Sequence, residues 1–358
     1  YQMSAMFFKK ILIINIFGIG DVLFSTPLIR SIKESFPESF VGFVCNKRAY
    51  DVLKDNPCVD KLFIYEKDDF RALYKTSKKQ SIQKAVQDLS DIKKEKFDVV
   101  IDLSLNKYAS FLMWALGIKT RIGFNYKNRS PFLTHKVNID GYENKHVVEH
   151  YLGLLEPLGA KKIHRQMEVG IAPQDRQWAE DVLGKHQIKS DDLLVAMVPG
   201  GGVSWGKDVA YRRWPPQQHA RLADKVIEKF HAKIILLGDL SEEEIGQRMV
   251  QAMQQRVVSL IGKTTVGQYL ALLAKCKRVI VNDGGPLHMA VAAGAKTVSL
   301  IGPVDENVYG PYPEEGHVVV TADVACRPCY RQFRRAQCDH IRCLKDITVD
   351  AVLDRIKF

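Results

Sequence analysis

Asn282-Asp283-Gly284-Gly285-Pro286-Leu287-His288 gathers a carboxylate, two glycines and an imidazole in one short stretch. It follows the apolar run Arg278–Val281 and leads into the small-residue segment Met289–Gly294, an order that reads strand, glycine turn, helix. A helix that opens on two glycines presents free backbone N–H groups at its positive end, which suits a phosphate. A lone histidine is ordinarily a core residue. The place of His288, one turn into that helix, favours phosphate contact instead. A second apolar run, Thr297–Ile301, ends in Gly302-Pro303, so this part of the chain reads as half of a nucleotide-binding α/β domain.

Three other stretches carry the same logic. Pro199-Gly200-Gly201-Gly202 follows the strand-like Leu193–Val198, where glycines let the backbone approach a ligand. Arg212-Arg213-Trp214-Pro215 comes next, with Arg212 and Arg213 at the expected start of a helix and able to neutralise a diphosphate. Gly238-Asp239-Leu240-Ser241-Glu242 follows the run Lys233–Leu237. Glu242 fits either an acid for ribose hydroxyls or part of a capped helix start. Near the N-terminus, Gly18-Ile19-Gly20-Asp21 follows the β-branched run Ile11–Ile16. A full dinucleotide fingerprint would need a third glycine where Leu23 stands. Asp21 at that strand end is either a helix N-cap or a general base.

Cys326, Cys329, Cys338 and Cys343 cluster near the C-terminus, while Cys45, Cys58 and Cys276 are scattered. The first pair has metal-knuckle spacing and four thiolates suit tetrahedral zinc, so a structural zinc competes with four reduced thiols. Seven cysteines and no visible leader argue for a reducing compartment. Arg327, Arg331, Arg334, Arg335 and Arg342 interleave with the cluster and make the loop a candidate anion or membrane contact.

The elements that position these residues alternate. Strand-like runs at 11–16, 40–45, 61–65 and 97–102, a short one at 168–171, and five more from Leu193 to Ile301 are separated by helix-like segments. Such alternation predicts parallel sheets with covered faces. Residues 146–159 read as one helix. Residues 70–96 carry eight Lys/Arg against three acids and read as an amphipathic helix, either a solvated face or a face for anionic membrane or phosphorylated acceptor. Ala172-Pro173 reads as a hinge between two halves, 1–171 and 172–358. The chain has 358 residues, 46% hydrophobic and 26% charged, with a formal net charge of +11. That balance favours anionic partners. The cations are dispersed and no nucleic-acid recognition motif is visible, so nucleic acid is set aside.

Taken together and in order, these motifs resemble the ADP-heptose:lipopolysaccharide heptosyltransferases, glycosyltransferase family 9. The resemblance runs from Gly18-Ile-Gly-Asp21-Val22 with Ser25-Thr26-Pro27, through Asn56–Asp60, Pro199-Gly200 and Arg212–Pro215, to Asp283–His288, Gly302-Pro303 and the cysteine tail. It implies the GT-B architecture: an α/β fold of two Rossmann-like domains facing across a cleft, the first binding acceptor and the second the nucleotide sugar. It implies inverting transfer of heptose from ADP-heptose to the lipopolysaccharide inner core, with no cofactor or metal required for catalysis. By position, Asp21 would be the general base. Arg212 stands where the family has a diphosphate-binding lysine, keeping the charge but changing the geometry. Glu242 would bind the ribose, Lys263 and Thr264 the adenine edge, and Asp283, Gly284, Gly285 and His288 the diphosphate and sugar. Gly18, Gly20, Gly200, Gly201 and Arg213 would complete the substrate contacts. The implied partners are an ADP-sugar donor and a phosphorylated glycolipid acceptor. The implied setting is a monomer in the cytoplasm, peripheral to the inner membrane surface. The alternatives are a family 9 transferase for another nucleotide sugar or acceptor, and a non-catalytic nucleotide-sugar-binding protein.

Overall fold

The computed structural model describes residues 8–202 and 206–358, with Lys207 by its backbone alone. Residues 1–7, part of the stretch read for a leader, lie outside the described residues. The chain divides into two compact units: residues 1–142 with 147–165, and residues 143–146 with 166–358. Residues 166–171, which the sequence grouped with the first half, thus go with the second unit.

The first unit carries β1 (Lys10–Ile14), β2 (Phe40–Cys45), β3 (Lys61–Ile64), β4 (Val99–Asp102), β5 (Thr120–Tyr126) and β6 (His135–Ile139). They form one sheet in the order β3-β2-β1-β4-β5-β6, every pair parallel. The second unit carries β7 (Leu194–Val198), β8 (Lys233–Leu236), β9 (Val258–Ser259), β10 (Arg278–Asn282), β11 (Thr297–Leu300) and β12 (Val318–Val320). Their order is β12-β11-β10-β7-β8-β9, again all parallel. Counted from its own first strand and read from the other edge, the second sheet repeats the order of the first. Both are doubly wound Rossmann-type sheets.

The central strands are Val-, Ile- and Leu-rich and buried on both faces, as a helix-covered parallel sheet requires. All five residues of β7 are buried. Each buried Leu, Val or Met there contributes about 1.5–3 kcal/mol relative to exposure. The C-terminal segment completes the second core, with Cys343, Leu344, Ile347, Val352 and Ile356 packed into the cluster that holds Trp214 and Ile280.

Strand addition reverses between β1 and β4, where Ile14 pairs with Asp102, and between β7 and β10, where Val198 pairs with Val281. At such a switch point the loops leaving adjacent strand ends diverge and open a crevice, where open α/β sheets bind ligands. The loops concerned are those after β1, β4, β7 and β10. They and the first turns of the helices that follow contain Gly18–Asp21, Ser104, Pro199–Gly202 and Asp283–Gly285.

Several elements depart from the sequence reading. Residues 168–171 join no sheet. The expected single helix at 146–159 is a helix at Val147–Gly153 and a 3-10 turn at Glu156–Leu158, closed by Gly159 at φ +66°. Residues 70–96 fall in two helices, Lys67–Thr76 and Lys78–Glu95, broken at Ser77, whose side chain accepts from the Gln80 N–H. Arg212 ends a 3-10 helix, Gly206–Arg212, and the next helix begins only at Pro216. The arginines therefore precede that helix rather than open it.

Candidate functional site

In the second unit, β10 ends at Asn282 and the helix Gly285–Ala292 follows at once, with Gly284 at its N-cap. Gly284 has φ +145°, and a Cβ there would overlap the carbonyl oxygen of Gly201. Gly201 has φ +101°. The two glycine loops of the switch point thus touch backbone to backbone, and glycine is what allows it. Asn282 ties them further, donating from Nδ2 to the Pro199 carbonyl at 2.8 Å and accepting at Oδ1 from the Trp214 N–H at 3.0 Å. The Trp214 indole, fully buried, donates to the Ile347 carbonyl at 3.0 Å. Asn282 carried no functional expectation; its strand-end position two residues before a glycine pair was the available signal.

Arg212 and Asp283 meet in this frame. The guanidinium places Nη2 2.6 Å and Nε 2.8 Å from Asp283 Oδ2, and both side chains are buried. Asp283 Oδ1 is buried with no hydrogen-bond partner among the described residues. Burial pushes the Asp283 carboxyl above the usual carboxylate range, and Arg212 opposes that shift. His288, one turn along the helix, is also buried. Burial, and then the charges of His146 and Arg212, hold it well below the usual imidazole range, so the ring is neutral at pH 7.

His146 is a residue the sequence reading placed only in a helix. It belongs to the second unit, where its Nε2 lies 3.1 Å from the Gly310 carbonyl and its ring stacks on Tyr312 at 4.5 Å between centroids.

Glu242 is 1% exposed. Its Oε1 accepts from the Gly202 N–H and its Oε2 from the Asp239 N–H, both at 2.9 Å. Asp239 is the capping residue, and Glu242 completes a reciprocal capping box with it. A Cβ on Gly200 would overlap the Glu242 carboxylate, which explains the glycine there. Arg213 bridges the same two loops, donating from Nε to the Gly200 carbonyl at 2.7 Å with Nη2 3.6 Å from Glu242. The loops after β7, β8 and β10 are thereby joined around Gly200–Gly202. The loop after β9 is tied in by the Gly262 N–H, which donates to the Gly238 carbonyl at 3.0 Å. Lys263 beyond it is exposed, with Nζ donating to the Ser259 carbonyl, and Thr264 precedes the capping box of Thr265 and Gln268.

In the first unit the loop after β1 leads into a short helix, Ile19–Leu23, with Gly18 as its N-cap. Asp21 is therefore the third residue of that helix and not its cap. It is partly buried, and its carbonyl accepts from Asn15 Nδ2 at 2.9 Å. Gly20 precedes it in the same turn. Asp102, at the adjacent strand end, is buried, with Oδ1 accepting from the Ser104 N–H at 2.9 Å and hydroxyl at 2.6 Å. Burial pushes its carboxyl up to about 6.

The cysteine loop is built into the second unit. The Cys329 N–H donates to the Pro303 carbonyl at 3.0 Å. Cys343 is buried, which raises its thiol to about 11 and disfavours a thiolate. Among the described residues no three Cys, His, Asp or Glu side chains come together in a way that could hold a metal ion. Two of the interleaved arginines are also internal. Arg327 donates to the Gly302 carbonyl at 2.6 Å and pairs with Glu306 at 2.8 Å, while Arg335 lies 3.7 Å from the centroid of the Tyr211 ring.

Glycine loops, a helix N-terminus and arginines thus meet at the switch point of a Rossmann-type sheet, in an α/β protein. Comparison with known proteins narrows this. The model of glycosyltransferase family 9 (heptosyltransferase) matches residues 89–340, and the chain belongs to that family; it is a glycosyltransferase. It is 21% identical over 318 residues to lipopolysaccharide heptosyltransferase 2 of Escherichia coli (strain K12), covering 87% of each chain. Among solved structures, a family 9 glycosyltransferase from Veillonella parvula superposes with TM-score 0.79 at 23% identity, covering 97% of this chain and 96% of that one. The E. coli ADP-heptose lps heptosyltransferase II does so with TM-score 0.73 at 20% identity, covering 97% of both. The fold is that of GT-B glycosyltransferases, two Rossmann-like units in one chain.

Proposed function

We propose that this glycosyltransferase moves a heptose from ADP-heptose to the inner core of lipopolysaccharide, with inversion and without a catalytic metal. The observation that carries the reading is the second unit's switch point. There Gly201 and Gly284 are in backbone contact, and Arg212 and Asp283 are locked together beside the N-terminus of Gly285–Ala292. Backbone N–H groups and a fixed guanidinium suit a diphosphate.

In this reading Gly200, Gly201, Gly284 and Gly285 admit the diphosphate, and Asp283 holds the Arg212 guanidinium in one orientation for it. Arg213 adds positive charge next to the same loop. Glu242 keeps its two backbone bonds and accepts from ribose hydroxyls with its remaining lone pairs. Lys263 and Thr264 line the adenine edge, and neutral His288 donates to the phosphate or sugar. Gly18 and Gly20 let the acceptor approach Asp21. The acceptor hydroxyl attacks the anomeric carbon opposite ADP while Asp21 takes its proton. The bond to the diphosphate breaks, and the charge that grows there is met by Arg212 and the helix terminus. The phosphorylated glycolipid acceptor accords with the net charge of +11. We further infer that the enzyme works in the cytoplasm. Among the described residues no helix is long and apolar enough to cross a membrane.

The test is a donor screen: ADP-heptose against other ADP-sugars and against UDP- and GDP-sugars, with a truncated core acceptor. Turnover with ADP-heptose alone is expected. Preference for another nucleotide sugar would replace the heptose assignment with the second reading, a family 9 transferase of different specificity.

A further inference from the structure

The helix Lys107–Ala115 leaves the carboxyl end of β4, beside the β1 end that carries Asp21. Its inner face buries Ser110 and Met113. Its outer face exposes three aromatic residues at three-residue spacing: Tyr108 at 63%, Phe111 at 40% and Trp114 at 51%. Phe132, from the loop between β5 and β6, completes a surface cluster, with its ring centroid 5.1 Å from Phe111 and 5.3 Å from Trp114. Arg121 pins that loop by donating from Nε to the Phe132 carbonyl at 2.5 Å. Burying large rings is normally favourable, so a rigid aromatic cluster left in water marks an interaction surface.

The surrounding charge says what kind of partner fits. From Leu103 to Ile139 the chain has Lys107, Lys119, Arg121, Lys127, Arg129 and Lys136, and no Asp or Glu. The Lys107 ammonium lies 5.1 Å from the centroid of the Tyr108 ring. Trp, Tyr and Phe beside lysines, in a stretch of chain without Asp or Glu, match the boundary layer of an anionic bilayer, where rings sit at headgroup depth and cations meet lipid phosphates. The helix Lys78–Glu95 also exposes apolar residues, Ile82 and Val86 at 61% each. Two of its lysines, however, are paired along the helix, Lys84 with Asp88 and Lys94 with Asp91. That helix carries no aromatic residue of its own.

We propose that the aromatic face of Lys107–Ala115, with Phe132, docks this protein on the surface of an anionic lipid bilayer. The inference rests on the proposed glycolipid acceptor, since it sets Asp21's end of the sheet beside the layer in which such an acceptor is anchored. Binding here is interfacial, with the rings entering only the headgroup region.

The experiment is vesicle co-sedimentation of the full chain with phosphatidylglycerol-rich vesicles and with pure phosphatidylcholine vesicles. Phe111→Ser/Trp114→Ser is compared with the control Ile82→Ser/Val86→Ser. Wild type and control should partition onto the anionic vesicles, and the Phe111/Trp114 variant at least about tenfold less. Transfer to a deacylated, water-soluble acceptor should be the same in all three proteins. That assay reports on the transferase reading independently, because it needs no lipid surface. Unchanged partitioning of the Phe111/Trp114 variant, or equal binding of wild type to both vesicle types, would overturn the proposal. So would a wild-type dimer that the variant dissolves in sedimentation velocity, which would make the face a contact between copies.

Discussion

Arg212 and Asp283 form a buried ion pair that joins the loop before the helix at Pro216 to the end of β10, with Nη2 2.6 Å from Oδ2. Breaking one side of such a pair strands the other charge in a low-dielectric interior. Asp283→Ala should lower unfolding stability by about 3–5 kcal/mol, read from urea denaturation. The double variant Arg212→Met/Asp283→Leu should recover much of that loss while remaining inactive. A double variant that regains turnover would show that the pair serves folding only.

Asp21 is the third residue of its helix, and Gly18 holds the cap position. The Asp21→Asn substitution keeps the shape and removes the base. It should lower kcat by about 10²–10⁴-fold, the ordinary contribution of general-base catalysis. ADP affinity by titration calorimetry should be unchanged. Parallel loss of ADP binding would assign Asp21 to the architecture of the unit instead.

Gly284→Ala forces a Cβ onto the Gly201 carbonyl and a side chain into φ +145°. The two loops must part, so nucleotide affinity should fall by at least about tenfold and stability by about 1–3 kcal/mol. Gly294→Ala is the comparison, since it has φ +83° with no atom near its added Cβ and bears only the conformational cost. Equal ADP affinity in the two variants would sink the idea that the loop contact shapes the phosphate site.

Asp102 supplies a pH signature. Its folded carboxyl sits at about 6, above the ordinary 3.8. Below 3.8 both folded and unfolded states hold the proton, and stability is greatest there as far as this group is concerned. Between 3.8 and about 6 only the unfolded chain releases it, so stability falls as pH rises, on the order of 2–3 kcal/mol in all. Asp102→Asn should lack this decline. The difference in urea midpoint between variant and wild type should therefore grow from acid to neutral pH. A constant difference across that window would place the proton elsewhere.

Transfer activity should survive excess EDTA, because the proposed leaving-group stabilisation uses Arg212 and a helix terminus. Loss of turnover without loss of secondary structure by circular dichroism would contradict it.

The sequence made the central strands legible because they are continuous apolar, β-branched runs followed by glycine turns. It did not announce β5, Thr-Arg-Ile-Gly-Phe-Asn-Tyr, whose polar residues interrupt the run, nor β6, an edge strand whose residues are mostly exposed. The short edge strand β12 was too brief for any pattern to register. The segment at 168–171 had the composition of a strand, but a strand exists only if a neighbour accepts its hydrogen bonds. At the site, residue types and order pointed to loops that the fold brings together at the sheet's switch point. What they could not give was pairing at a distance: Asp283 with Arg212, Glu242 beneath Gly200, and His146 against Gly310. Those follow from the strand order, which brings sequence-distant loops to one crevice. The cysteine spacing left a metal cage and four reduced thiols as alternatives, and it gave no sign that Cys343 packs into the core.

Residues 143–146 lie in the second unit, although the chain on both sides of them belongs to the first. The backbone therefore passes from one unit to the other at 142, again at 146, and again at 165. No single cut yields two intact halves. A fragment ending at 165 takes His146 away from Gly310 and Tyr312, and one starting at 166 lacks that ring altogether. Dissecting this enzyme into separately expressed pieces will require supplying that short detour in trans or grafting it onto the second fragment.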